Sequence, residues 1–245
     1  MSIIVQKFGG TSVENTEMLR KVKEHIIREK NKGNNVVVVV SAQGKMTNRL
    51  IDEEKEITQN PNKREHDVLV SVGEQITISK LAMVLQEDGY NAISFTGWQV
   101  PIKTDDIHTN ANIIEINTKK ILEKLDEGNI VIIAGFQGVN EKGEITTLGR
   151  GGSDTTAVHI AASLNAEVCE IYTDVDGVYE KDPKENKNAK KFKTITYDKM
   201  LEMANSGAKV LHNKCVETAK KYNVKIDVKS TWKDGETGSI VTKND

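Results

Sequence analysis

Leu148-Gly149-Arg150-Gly151-Gly152-Ser153-Asp154-Thr155-Thr156-Ala157 is the stretch on which the rest of the reading depends. It joins a turn-rich segment to an apolar-periodic run, Ala157, Ile160, Ala161 and Leu164, spaced as one face of a helix. The glycines let backbone approach a ligand closely, and Ser153 or Asp154 suits the helix N-cap. Free N–H groups at such a helix start attract an anion. Arg150 adds a planar fork that grips a carboxylate or phosphate through two hydrogen bonds. A glycine loop that merely turns the chain is the plain alternative. Arginine, serine, aspartate and two threonines packed around the glycines favour an anion-handling site instead.

A length of 245 residues suits one α/β domain, with room for two smaller lobes. A hydrophobic content of 37% supports a core, while 4% aromatic residues leave little for base stacking. With a formal net charge of −2 and no long basic stripe, nucleic acid is an unexpected partner. Cys169 and Cys215 lack metal-ligand spacing and read as reduced thiols in a core. The histidines His25, His66, His108, His159 and His212 form no metal-type cluster. Neither an N-terminal signal nor an apolar run long enough to span a bilayer is evident, so no membrane role and a cytoplasmic location are expected.

Residues 2–8 read as a strand ending in Lys7-Phe8-Gly9-Gly10-Thr11-Ser12-Val13. A lysine, two glycines and two hydroxyls at a strand end are phosphate-type chemistry. A helix follows, ending near Gly33. Val36 to Val40 is an unbroken β-branched run, as in a strand buried on both faces. Ser41-Ala42-Gln43-Gly44-Lys45-Met46-Thr47 superficially resembles a P-loop, but Met46 replaces the hydroxyl residue and Val39 the first glycine. Residues 52–66 suggest an exposed helix and loop. Glu74, near the start of an amphipathic helix, either favours the helix dipole or receives an amino group. Further strands are expected at 92–95, 130–134 and 168–172, with a polar loop or hairpin over a site at 96–112. Helices are expected at 197–205 and 208–222, and a last strand at 224–228. Alternating strands and helices with glycine loops at strand ends predict an α/β fold. Its mainly parallel sheet is covered on both faces and binds ligands at the C-terminal strand ends. Two anion loops with a lysine and an aspartate suggest phosphoryl transfer from a nucleotide, which is mostly positioning and charge neutralisation. The residues alone leave the acceptor as an undetermined small acid.

Four motifs occur in order: Lys7 to Val13, Gly73-Glu74, Gly149 to Asp154, and Thr173-Asp174-Val175-Asp176-Gly177-Val178-Tyr179. Together they closely resemble the catalytic domain of aspartokinases, in the amino-acid kinase family, over nearly the whole chain. The resemblance implies a three-layer αβα sandwich forming a single domain over 1–245. A substrate-side lobe would span roughly 1–165 and a nucleotide-side lobe roughly 166–245. It implies transfer of the γ-phosphoryl of MgATP to the β-carboxylate of L-aspartate, the first step towards lysine, threonine and methionine. Lys7 would neutralise charge on the transferring phosphoryl, and Asp154 would hold Lys7. Arg150 would grip the α-carboxylate and Glu74 the α-amino group, with Ser41, Thr47, Phe136 and Ser153 completing the pocket. Gly9, Gly10, Thr11, Ser12, Thr173, Asp174, Tyr179, Asp182, Lys184 and Lys209 would serve the nucleotide. No protein metal site is implied, Mg2+ being held mainly by the ATP phosphates.

Two departures stand out. Lys184 replaces the family's usual arginine after Asp-Pro, turning a two-point phosphate contact into a single charge. Asn213-Lys214 replaces the usual Pro-Arg and is expected to loosen the nucleotide side. The rival readings are a kinase of another acidic metabolite and a non-catalytic partner subunit; Lys7, Glu74, Arg150 and Asp154 together argue against the latter. No regulatory ACT domain is expected within these residues, so lysine and threonine are expected to leave the activity of this chain unchanged. Any homodimer would use kinase-domain surfaces.

Overall fold

A computed structural model describes residues 1–181, 186, 188–206, 210–233 and 238–243. The chain opens with strand β1 (Ile3–Phe8) and a 3-10 turn (Gly10–Val13), then helix α1 (Thr16–Asn31), whose N-cap Asn15 accepts the Met18 N–H. Strand β2 (Asn35–Val40) is the valine run. Its alternation divides it between two cores, with Val37 and Val39 on one face and Val36, Val38 and Val40 on the other. Helices α2 (Met46–Ile57), α3 (Lys63–Val70) and α4 (Val72–Glu87) lead to β3 (Ala92–Phe95). Short strands β4 (Ile102–Thr104) and β5 (Ile113–Ile116), helix α5 (Lys119–Asp126) and strand β6 (Ile130–Ala134) follow. The hairpin of β7 (Gln137–Val139) and β8 (Ile145–Thr147) then delivers the chain to the glycine loop and α6 (Gly152–Ser163). The rest comprises β9 (Val168–Thr173), β10 (Thr194–Thr196), α7 (Tyr197–Asn205), α8 (Asn213–Tyr222), β11 (Ile226–Ser230) and β12 (Ser239–Thr242).

Eight strands form one sheet in the order β10-β12-β11-β9-β1-β2-β6-β3. Every neighbouring pair is parallel except β11 with β12. One core packs α1 and α4 against the sheet, and the other packs α5, α6 and α8 against its opposite face. This is the expected αβα sandwich with a mainly parallel sheet. The chain builds from β1 towards β2 first and returns to β1's other side with β9. That reversal leaves a crevice at the C-terminal ends of the central strands, where open α/β sheets take their ligands. Strands β5-β4-β7-β8 form a second, small sheet.

Several expectations are corrected. Neither Ser153 nor Asp154 caps α6. Its N-cap is Gly151 in the left-handed region (φ 71°), and both polar residues stand in the first turn. A left-handed entry suits glycine, so the cap follows backbone need rather than side-chain capping. Burial on α6 also extends beyond the expected apolar face, because Gly152, Ser153, Thr155 and Thr156 are covered too. Helix α8 begins at Asn213 rather than 208, residues 207–209 lying outside those described. The strand expected at 224–228 runs instead from Ile226 to Ser230, because Val224 N–H bonds back to Ala219 O at the helix end. It is not the last strand, as Ser239–Thr242 adds an antiparallel neighbour. Finally, α3 and α4 join at Ser71 into a stretch, Lys63–Glu87, long and apolar enough by length and composition to cross a bilayer. The sequence reading found no such run. In the fold, 56% of its apolar window is buried, as in a core helix.

Candidate active site

The C-terminal end of β1 carries Lys7, whose side chain is 10% exposed and whose Nζ lies 2.6 Å from Asp154 Oδ1 in the first turn of α6. The contact is a close ion pair lying off hydrogen-bond angles, with Asp154 Oδ1 otherwise unpartnered. A Cβ at Gly9 would sit 3.5 Å from Lys7 Nζ, in ordinary contact with the ammonium. Gly10 packs against the loop after β2: a Cβ there would come within 2.9 Å of Ala42 O, and Gly10 O accepts Gly44 N–H at 2.9 Å. Glycine at position 10 thus serves close backbone packing.

That second loop meets the start of α4. Glu74 is 2% exposed, and its Oε1 accepts the Ala42 N–H at 3.0 Å. Its Oε2 is buried with no hydrogen-bond partner among the described residues. Burial pushes the carboxyl up to about 8, against the opposing pull of the Ala42 hydrogen bond. A half-satisfied buried carboxylate beside a crevice suits an incoming ammonium group better than a dipole-capping role.

The end of β6 closes the far side. Gly135 N–H bonds Val40 O at 3.0 Å, and a Cβ on Gly135 would lie 2.8 Å from Ser153 Oγ. Phe136 adopts a left-handed φ of 69°, rare for a bulky residue, and its N–H is held by Thr156 Oγ1 at 3.1 Å. Its ring covers Gly152, where a Cβ would come within 2.8 Å of Phe136 Cδ2. Arg150 is exposed in the glycine loop and makes no hydrogen bond or ion pair with a described residue. Ser41 and Thr47 are partly exposed at the end of β2 and in the first turn of α2. Contacts therefore link Lys7, Asp154, Ser153, Phe136 and Glu74 through neighbouring strand ends, with Arg150 two residues before α6.

The expected nucleotide residues lie across β1 from this pocket. Thr11 is exposed, whereas Ser12 is 1% exposed and its Oγ is 2.6 Å from Thr231 Oγ1, so that hydroxyl already serves packing. Thr173 ends β9 and Asp174 follows it, the two side chains joined by a 3.1 Å hydrogen bond. Tyr179 OH donates to Asp176 Oδ1 at 2.8 Å. Although burial opposes it, hydrogen bonds from Lys233 and Tyr179 hold the Asp176 carboxyl below the usual range. Asp182, Lys184 and Lys209 lie outside the described residues. Lys214 does not face this side: its Nζ donates to Asn110 Oδ1 at 2.7 Å, in the loop beside Gly149.

Asp67 and Thr231 have no role in the sequence reading, and Thr156 and Asp176 stand in its motifs without a role of their own. Each acts through a tertiary hydrogen bond, which leaves no local pattern in the chain. Among the described residues no group of three His, Cys, Asp or Glu side chains could hold a metal.

A doubly wound sheet carries at its C-terminal edge two glycine loops, an ion-paired lysine and an arginine with no partner among the described residues, the kinds of group that phosphoryl transfer uses. The comparisons narrow the class. The amino acid kinase family model matches residues 2–230, and the chain belongs to that family. It is 57% identical over 241 residues to an aspartokinase of Geobacillus stearothermophilus, covering 98% of this chain and 59% of that protein. An aspartokinase of Bacillus sp. (strain MGA3) is 56% identical, with 98% of this chain and 58% of the relative covered. The chain thus spans under two thirds of these relatives. Aspartate kinase from Synechocystis superposes with a TM-score of 0.89 at 46% identity, over 99% of this chain and 40% of that one. Aspartokinase III of E. coli, in complex with aspartate and ADP, matches with a TM-score of 0.87 at 29% identity, over 99% and 65%.

Proposed function

We propose that this chain is the catalytic domain of an aspartate kinase. A β-carboxylate oxygen of L-aspartate attacks the γ-phosphorus of ATP, the bond to the β,γ-bridging oxygen breaks, and 4-phospho-L-aspartate and ADP result. The observation that carries the reading is Glu74, whose buried, unpartnered Oε2 calls for a cationic donor such as an α-ammonium group. Arg150, uncommitted in the glycine loop, takes the α-carboxylate in two-point contact. Lys7 lies on the transferring phosphoryl and Asp154 orients it, so the ammonium stabilises charge that spreads in the transition state. Backbone N–H groups around Gly9 and Gly10 and at the α6 start add fixed donors. Mg2+, carried on the phosphates, supplies further charge neutralisation when bound.

In this reading residues 1–165 form the substrate side and 166–245 the nucleotide side of one domain. Asp182, Lys184 and Lys209 belong with Thr173, Asp174 and Tyr179 on the nucleotide. The domain works in the cytoplasm, and copies pair, where they pair, through kinase-domain surfaces. The test is an ATP-dependent acyl-hydroxamate assay across aspartate, glutamate and acetylglutamate. Hydroxamate with aspartate alone is expected. Product with another acid, or none from a folded sample that binds MgATP, would replace this reading.

A further inference from the structure

The sequence leaves the polar run 96–112 as a loop or small hairpin over a site, and β4 (Ile102–Thr104) lies within it. The fold shows what fastens it. Asp67 on α3 is fully buried, and among the described residues the hydrogen bonds to its carboxylate come from Thr147 on β8 and from His108 and Thr109. Its Oδ1 accepts the Thr147 hydroxyl at 2.5 Å, and Thr147 ends β8 three residues before Arg150. Both oxygens accept the Thr109 N–H, at 3.0 and 3.1 Å, and Oδ2 accepts His108 Nδ1 at 2.8 Å. Ala111 N–H then bonds Thr147 O at 2.8 Å. One carboxylate therefore ties the 108–111 strap to the strand that delivers Arg150.

The strap is held under strain and in close contact. Thr109 has a φ of 70°, a left-handed conformation that a β-branched residue adopts only where its surroundings over-determine it. The Asp67 carboxylate, gripping the Thr109 N–H, is such a constraint. Across the contact, a Cβ at Gly149 would lie 3.0 Å from Asn110 Oδ1 and 3.2 Å from Thr109 O. Gly149 is itself left-handed (φ 73°), so no side chain buffers the strap from the loop's backbone. Arg150 follows immediately and has no described partner to hold it, so backbone placement is what aims it.

We propose that Asp67 is a positioning residue for recognition of the amino-acid head group, acting through Thr147 and the 108–111 strap on Arg150. The inference deepens the aspartate-kinase reading and rests on it for its kinetic arm. Removing the anchor leaves the glycine loop free to sample other conformations, and the head group then meets Arg150 in its working position less often. Lys7 and Asp154 sit on β1 and α6 and are not reached by these bonds.

Thr147→Val tests this with little change of shape, because it exchanges the donating hydroxyl for a methyl group; Thr147→Ser keeps the hydroxyl. Asp67→Asn is the more direct variant but leaves buried donors mismatched, so Thr147 carries the test. Thr147→Val is expected to raise the KM for aspartate about tenfold with kcat and the KM for ATP little changed, the pattern of a ground-state positioning fault. Thr147→Ser is expected to match the parent. An unchanged KM for aspartate, an equal rise in both KM values, or a serine variant as impaired as the valine one would overturn the proposal. Amide hydrogen exchange gives a second arm independent of any substrate. Faster exchange at 109–112 and 149–152, with the core helices unchanged, supports the strap, and unchanged exchange at both segments overturns it. A parent that makes no hydroxamate from aspartate defeats the functional reading, while the exchange arm still judges the strap.

Discussion

Lys7 Nζ and Asp154 Oδ1 meet at 2.6 Å between the end of β1 and the first turn of α6, joining the two glycine loops by one ion pair. Both side chains are largely buried, so removing either partner strands a charge as well as a contact. Lys7→Ala and Asp154→Ala are expected to lower kcat by roughly 10²–10³-fold, the scale of losing a preorganised transition-state donor. Steady-state kinetics decide it. Near-parental kcat in either variant would remove that residue from the reaction.

Glu74 makes substrate binding pH-dependent. Its carboxyl is raised to about 8, so the free protein holds it largely protonated at neutral pH. An ammonium group arriving at Oε2 favours the ionised form, so aspartate binding at pH 7 should release close to one proton. Affinity should then weaken about tenfold for each pH unit below about 8. Calorimetry in buffers of different ionisation enthalpy measures the release, and Glu74→Gln should abolish it. The same shift has a signed effect on folding. Between the ordinary 4.5 and about 8 the unfolded chain ionises this group while the folded one does not. Its contribution to stability is therefore lost as pH rises through that window and levels off above it, and Glu74→Gln should flatten the profile. Identical pH profiles of parent and variant would be incompatible with a raised Glu74.

How much of this was legible in the chain varies by kind of signal. The valine run 36–40 announced a strand buried on both faces because parallel strands have no polar side to show. Lys7 and the glycine loops stood out because backbone approach to an anion needs glycine in a fixed order. The α6 cap was misread because Ser153 and Asp154 are common capping residues, and nothing local reveals that Gly151 would enter left-handed. Strands β10 and β12 were missed because strands of three and four residues carry too few alternations to register. Asp67 was invisible for a different reason. A single aspartate in a charged helix looks solvated until the fold brings Thr147, eighty positions later, against it.

Cys169 and Cys215 should be chemically silent while the protein is folded. Both are fully buried, and burial, reinforced by the nearby Asp154 carboxylate, raises each thiol far above its ordinary value. The thiolate is the reactive species, so neither should react with an aromatic disulfide reagent under native conditions. Two thiols should titrate once denaturant is added. Rapid labelling of either in the native protein would contradict this packing.

Gly73 and Ala42 should behave as one unit. Gly73 lies inside α4, where alanine would ordinarily stabilise a helix by about 1 kcal/mol. Here a Cβ at position 73 would fall 2.6 Å from Ala42 Cβ, well inside contact distance, and both neighbours are backbone-anchored. Overpacking of this sort costs about 1–3 kcal/mol, enough to reverse the helix preference. The displaced residue would be Ala42, whose N–H holds Glu74 Oε1, so the damage should reach the head-group site as well. Gly73→Ala is therefore expected to lower stability and raise the KM for aspartate. Adding Ala42→Gly removes the obstructing methyl and should recover both, leaving a coupling energy of about 1 kcal/mol or more between the two positions. Urea denaturation and kinetics on the parent, both single variants and the double variant complete the cycle. Strictly additive effects would mean that the two residues do not share the contact, and that Glu74 is placed by something other than this close approach.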